Sequence, residues 1–197
     1  DEVNAIIETA SRIQSNAKIK ALKTAIHTAF EYQEKQGIPQ KVVVFTESKR
    51  TQKYIASELR KNGFDEDDIL LFNGDFNDAM TKKIYRAWKV KNFGKTNYGR
   101  GVEYKHAIVD YFKEHSRILI VTDAGSEGLN LQFCNTVVNY DLPWNPQKIE
   151  QRIGRCHRYG QKHDVIAINL LNTGNEADRR VYEILSKKFE LFDGVFG

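Results

Sequence analysis

The sequence predicts a three-layer α/β/α domain whose central sheet is mainly parallel. Three observations predict it. Five short runs are apolar and rich in β-branched residues, as in strands buried on both faces. Stretches with helical spacing of apolar residues fit between most of these runs. Turn and cap residues stand at the joins. Strands that alternate with helices in this way close into a parallel sheet covered on both sides.

The elements follow in order. From Glu2 to about Gln36, Ile6, Ile13, Ile19, Leu22, Ile26 and Phe30 recur at helical spacing, and Gly37-Ile38-Pro39 ends the pattern. Lys41–Thr46 is the first strand. Ser48 is placed to cap a helix that runs through Leu59 and stops at Asn62-Gly63. Asp68–Asn73 is the second strand, closing on Gly74, and Arg117–Asp123 the third. Thr136–Asp141 and Val165–Leu171 are the fourth and fifth, and a last helix is expected from about Glu176 to Leu191. Phe76 to Tyr104 is basic and aromatic, with Trp88, Lys89, Lys91, Lys95 and Arg100. It reads as two helices joined by a Gly/Asn-rich connector.

Bulk properties narrow the classes of function. The 197 residues, 41% hydrophobic, are enough to bury one sizeable core. A net charge of +4 permits a nucleic-acid surface without requiring one. The two cysteines, Cys134 and Cys156, form no CxxC pair, so a disulfide framework or zinc site is not expected and a reducing, cytoplasmic setting is. No apolar stretch reaches membrane-span length, and the acidic start lacks the layout of a signal peptide. With Asp1 in place of Met and an end at Phe196-Gly197, the chain is expected to be a piece of a longer protein.

Ligands of parallel α/β sheets sit beyond the carboxyl ends of the strands. There the chain gathers Thr46-Glu47-Ser48, Asn73-Gly74, Thr122 to Asn130 and Asp141 to Pro146. Such hydroxyls, glycines and amides suit a surface that faces phosphates. The segment Gln151 to Gln161 adds Arg152, Arg155 and Arg158, spaced by threes over what reads as about three helical turns. On a helix these fall close to one face, where guanidiniums repel one another unless an anion sits before them. Arginine forks match phosphates, and an arginine presented to a transferring phosphoryl group can contribute several powers of ten in rate. No GxxxxGK[ST] loop is present, and no Asp-Glu box follows a buried strand. Arginines without a phosphate cradle imply a cradle on another domain.

Thr122 to Gln132 resembles motif V of superfamily-two helicases, and Gln151 to Arg158 resembles their motif VI, QxxGRxxR. Lys41–Thr46 is similar to motif IV, and Leu71 to Gly74 to the motif that follows it. Asp141-Leu142-Pro143-Trp144-Asn145-Pro146 and His157-Arg158-Tyr159-Gly160-Gln161 narrow the resemblance to the Swi/Snf-related branch, especially its bacterial members. The resemblance extends from Lys18 to the final helix. It implies that residues 1–197 form one helicase C-terminal domain, the second of two RecA-like lobes. Residues 1–36 would be a helical lead-in and 76–104 a basic insertion.

The resemblance further implies ATP with Mg2+ in the cleft between lobes, both held mainly by the N-terminal RecA-like lobe. Nucleic acid, expected to be duplex DNA without sequence readout, would lie across both. Arg155 and Arg158 would be arginine fingers supported by Gln151. Gly128, Asn130 and, with less to favour it, Arg152 would approach the nucleotide; Arg152 could equally pair with an acid inside this lobe. Thr46, Ser48, Gly74 and Thr122 would grip the phosphate backbone. Ser126-Glu127 replace two glycines usual in eukaryotic remodellers, and Glu127 is placed to pair with a motif VI arginine. Trp144 and Tyr159 are expected to pack the motif VI helix on the sheet, and His157 to make structural hydrogen bonds. Glu47 is not expected to act as a base. The activity implied is that of a DNA translocase motor. A strand-separating DNA or RNA helicase lobe, or a nucleic-acid module without ATP turnover, are the alternatives.

Overall fold

A computed structural model describes residues 17–95, 97–171, 176 and 179–184. Helix α1 (Ala17–Lys35) leads into β1 (Val42–Thr46), α2 (Lys49–Lys61) and β2 (Ile69–Phe72). Two helices follow, α3 (Ala79–Lys91) and α4 (Arg100–Glu114), then β3 (Ile118–Thr122) and the short α5 (Asp123–Ser126). The chain continues through β4 (Thr136–Asn139), α6 (Pro146–Ile153) and β5 (Ile166–Asn169). Ile6 and Ile13 of the expected lead-in lie outside the described residues, as does most of the last helix; Glu176 and residues 179–184 are helical.

Every strand pairing is parallel, in the order β2-β3-β1-β4-β5. The sheet forms because its strands alternate between two apolar faces. Val42, Val44, Ile69, Ile118, Ile120 and Val138 pack beneath α1 and α2. Val43, Phe45, Leu70, Phe72, Leu119, Val121 and Val137 pack against α3, α4 and the loop after β3. The stretch 76–104 is therefore in large part a structural layer. Trp88 is buried with its indole N–H donating to Asp110 at 2.6 Å, and the rings of Tyr85 and Tyr104 stack at 3.9 Å.

Helix ends follow local chemistry. Ser48 Oγ accepts from Thr51 N at 3.0 Å to cap α2, Asp78 caps α3, and Asn145 caps α6 with Pro146 in its first turn. Two buried glutamines join the layers. Gln52 donates to Phe72 O and Ile120 O, satisfying strand carbonyls at the sheet's carboxyl edge. Gln33, fully buried, donates to Lys41 O and Asn135 Oδ1 and accepts from Lys41 N. Lys41 is buried as well; its ammonium donates to the carbonyls of Phe112 and Ser116, and desolvation holds its pKa below the usual lysine range.

Candidate nucleotide and nucleic-acid site

The carboxyl ends of β1 and β3 place Thr46 beside Thr122, and the expected nucleic-acid residues gather there. Their hydroxyls do not all face outward. Thr46 is fully buried and donates to Asp141 Oδ2 at 2.6 Å. Thr122, 5% exposed, accepts from Gly125 N at 3.2 Å and caps α5. Both therefore brace the edge from within. Ser48 is exposed at the start of α2, and Gly74, at φ +83°, turns the chain after β2. Asp141 fastens this edge from the other side, accepting also from Glu47 N at 3.2 Å.

The loop after β3 is held against the end of β2 by Gly125. A Cβ there would stand 2.7 Å from Phe72 O and 2.9 Å from Asn73 Cα, so only glycine allows the approach. Gly128 has φ +72°, and Asn130 is exposed beside it. Leu131 N then donates to Arg155 O at 2.9 Å, tying this loop to the arginine segment.

The arginine segment is not one helix. α6 stops at Ile153, and Gly154 to Gly160 continue as turns, a correction to the three-turn helix expected. Gly154 is a poor helix former, and the bonds Arg155 N to Arg152 O and Cys156 N to Ile153 O tighten the chain out of α-helical register. Cys156 is drawn into the core beside Cys134; their contact and burial push its thiol pKa well up.

The three arginines consequently have different surroundings. Arg152 is 2% exposed. It meets Asp123 through two bonds, 2.7 and 3.0 Å, and donates to Asn139 Oδ1 and Asp141 O at 3.1 and 2.8 Å. Its guanidinium is committed within the lobe, to the acid pairing that the sequence equally allows. Arg155 is half-buried, and its Nε is buried without a hydrogen-bond partner among the described residues. Desolvation and then neighbouring Arg158 lower its pKa, with Glu127 opposing them. Arg158 is exposed and rests on Gly154 O at 3.0 Å. Glu127 is thus an electrostatic neighbour of Arg155, though no ion pair joins them.

Gln151, Arg152 and Arg155 line one cavity of about 140 Å³ with Asp123, Ser126, Glu127 and Lys148. Gly128 and Asn130 border a separate cleft of about 650 Å³. The expected nucleotide residues therefore line two separate hollows. Trp144 is 71% exposed and Tyr159 wholly so, each among exposed neighbours (Asn145, and Arg158 with Gly160); neither packs α6 on the sheet. His157 is exposed too, with no side-chain hydrogen bond found for it among the described residues.

A five-stranded parallel sheet with helices on both faces is a RecA-like fold. Residues 17–160 match the family described as Helicase conserved C-terminal domain, and the chain belongs to it. It is 33% identical over all 197 residues to the uncharacterized ATP-dependent helicase YqhH of Bacillus subtilis (strain 168), spanning 29% of that protein. Over 50 residues, 25% of the chain and 5% of the relative, it is 54% identical to the RNA polymerase-associated protein RapA of Vibrio cholerae. These relatives agree with the Swi/Snf-related reading of the motifs. Its fold is that of the C-terminal part of the Fun30 ATPase domain, with a TM-score of 0.62 at 22% identity, covering 88% of this chain and 46% of that one.

Proposed function

We propose that this chain is the arginine-supplying motor lobe of a Swi/Snf-type, ATP-dependent translocase on duplex DNA, working in the bacterial cytoplasm. The observation that carries the reading is Arg155. A buried guanidinium nitrogen without an acceptor, beside a second cation, is costly unless an anion completes it. A nucleotide phosphate fits that need, and ATP with its Mg2+ would be held mainly by a partner N-terminal RecA-like lobe.

In this reading Arg155 and Arg158 place positive charge where the transferring phosphoryl group develops negative charge. Gln151, exposed one turn before Arg155 along the chain, orients the phosphate or attacking water. Gly128 and Asn130 border the nucleotide from the loop after β3. Ser48 and the exposed start of α2 offer a hydroxyl and amides to the DNA backbone, with Gly74 letting the strand approach. Thr46 and Thr122 hold that edge in shape. Gly125 links the two sides, since its contact with Asn73 makes any shift of the nucleotide loop a shift of the DNA edge.

The test is ATP turnover by the intact protein with duplex DNA, single-stranded DNA and duplex RNA. Stimulation chiefly by duplex DNA, without strand separation, is expected. Preference for RNA, or unwinding, would replace the translocase reading with the helicase one.

A further inference from the structure

The cleft of about 650 Å³ that Gly128 and Asn130 border extends beside α4. Its wall is one helical stripe, with Lys105, His106, Asp110 and Lys113 on the same face. Lys162 and His163 face them from the segment after the arginine turns. That segment is pinned by Gln161, whose amide donates to Cys134 O at 3.1 Å and whose carbonyl accepts from Lys162 N and His163 N at 3.0 and 3.1 Å.

The charge here departs from that of the chain. Lysine and arginine outnumber acids only 30 to 26 overall, yet three lysines in this cleft face a single acid. That acid, Asp110, already accepts from Trp88. No ion pair is found for Lys105, Lys113 or Lys162 among the described residues. Lys113 lies 5.9 Å over the Phe133 ring, and Lys105 rests against Gly128, where a Cβ would stand 3.2 Å from its Nζ.

Spacing decides what such a cleft would take. Lys105 and Lys113 are eight residues apart on one helix, about 12 Å of rise. One phosphate could meet both only if the two side chains leaned fully together, whereas one strand of a duplex presents about three phosphates over that length. We infer that the cleft along α4 is a second phosphate-backbone track, in which Lys105, Lys113 and Lys162 hold duplex DNA without reading its sequence. The inference rests on the reading that the motor's track is DNA; it adds a contact surface separate from Ser48 and Gly74. His106 and His163 supply neutral donors between the lysines.

The experiment is anisotropy of a labelled random-sequence duplex across a salt series, with the protein and with Lys105→Ala/Lys113→Ala/Lys162→Ala. Each lost phosphate contact lowers the slope of log affinity against log salt by about 0.9, so a fall of about 2 to 3 is expected. The Lys→Arg triple should keep the original slope. A separate Ser48→Ala change should leave the slope nearly untouched, because it removes no cation. An unchanged slope in the alanine triple, with DNA still bound, would overturn the track and leave the translocase reading standing. So would an unchanged slope with a raised KM for ATP, which would give the cleft to the nucleotide. Failure of the unaltered protein to bind duplex DNA would overturn both.

Discussion

Arg152 and Arg155 stand three residues apart in one motif and have opposite fates. Arg152 spends its guanidinium on Asp123, Asn139 and Asp141, and lies over the Phe45 ring. Arg155 reaches no acceptor with its Nε, and Arg158 beyond it is exposed. The helix ends between them, so equal spacing in sequence does not become a shared face. The difference separates an arginine that holds the lobe together from arginines left for an anion.

The sharpest way to break that contrast is to remove each arginine. Arg158→Ala is expected to lower DNA-stimulated ATP turnover of the intact protein roughly a thousandfold, as for other arginine fingers, with its melting temperature unmoved. Arg152→Ala should act through stability. It leaves the partly exposed Asp123 carboxylate and the buried Asn139 without their partner and costs about 2–3 kcal/mol, a drop of roughly 5–10 °C in a thermal melt followed by circular dichroism. If Arg152→Ala melted normally and lost turnover alone, the contrast would fail.

Gly125→Ala comes next. Its Cβ meets the backbone of Phe72 and Asn73, which cannot swing aside, so about 1–3 kcal/mol is expected in chemical denaturation. Turnover should then respond less to added DNA. Ser48→Ala gives the smallest effect, about 1 kcal/mol for the lost cap, with a modest loss of DNA affinity at low salt.

The sheet was legible because its signal is local. Runs such as Val42-Val43-Val44-Phe45 can satisfy both faces only inside a covered parallel sheet, and all five strands fall within the expected runs. The arginine segment was half legible. Gly154 and Gly160 are poor helix formers, but the three-residue repeat of arginines reads as a helix face, and the pull of Cys156 into the core is a tertiary effect. The bracing roles of Thr46 and Thr122 were hidden for a related reason. A hydroxyl at a strand end serves an exposed ligand or a buried carboxylate equally well, and Asp141 lies 95 residues from Thr46 in the chain. Gln52 and Gln33 were missed although a signal existed. Gln52 shares the stripe of Ile55, Ala56 and Leu59, and Gln33 that of Ile26, Ala29 and Phe30. A polar residue in register with an apolar stripe is buried and needs partners. Lys105 and Lys113 form a comparable stripe on α4, visible once the helix bounds are known.

The central claim is that Arg155 and Arg158 complete a phosphate site whose cradle lies on another lobe. Its most direct test is to measure, in the intact protein carrying Arg155→Ala, both the affinity for ATP and the turnover number at saturating duplex DNA. The account predicts turnover lowered by two to three orders of magnitude, as for arginine fingers generally, with ATP affinity changed far less. Unchanged turnover, or an equal loss of affinity and turnover, would contradict it.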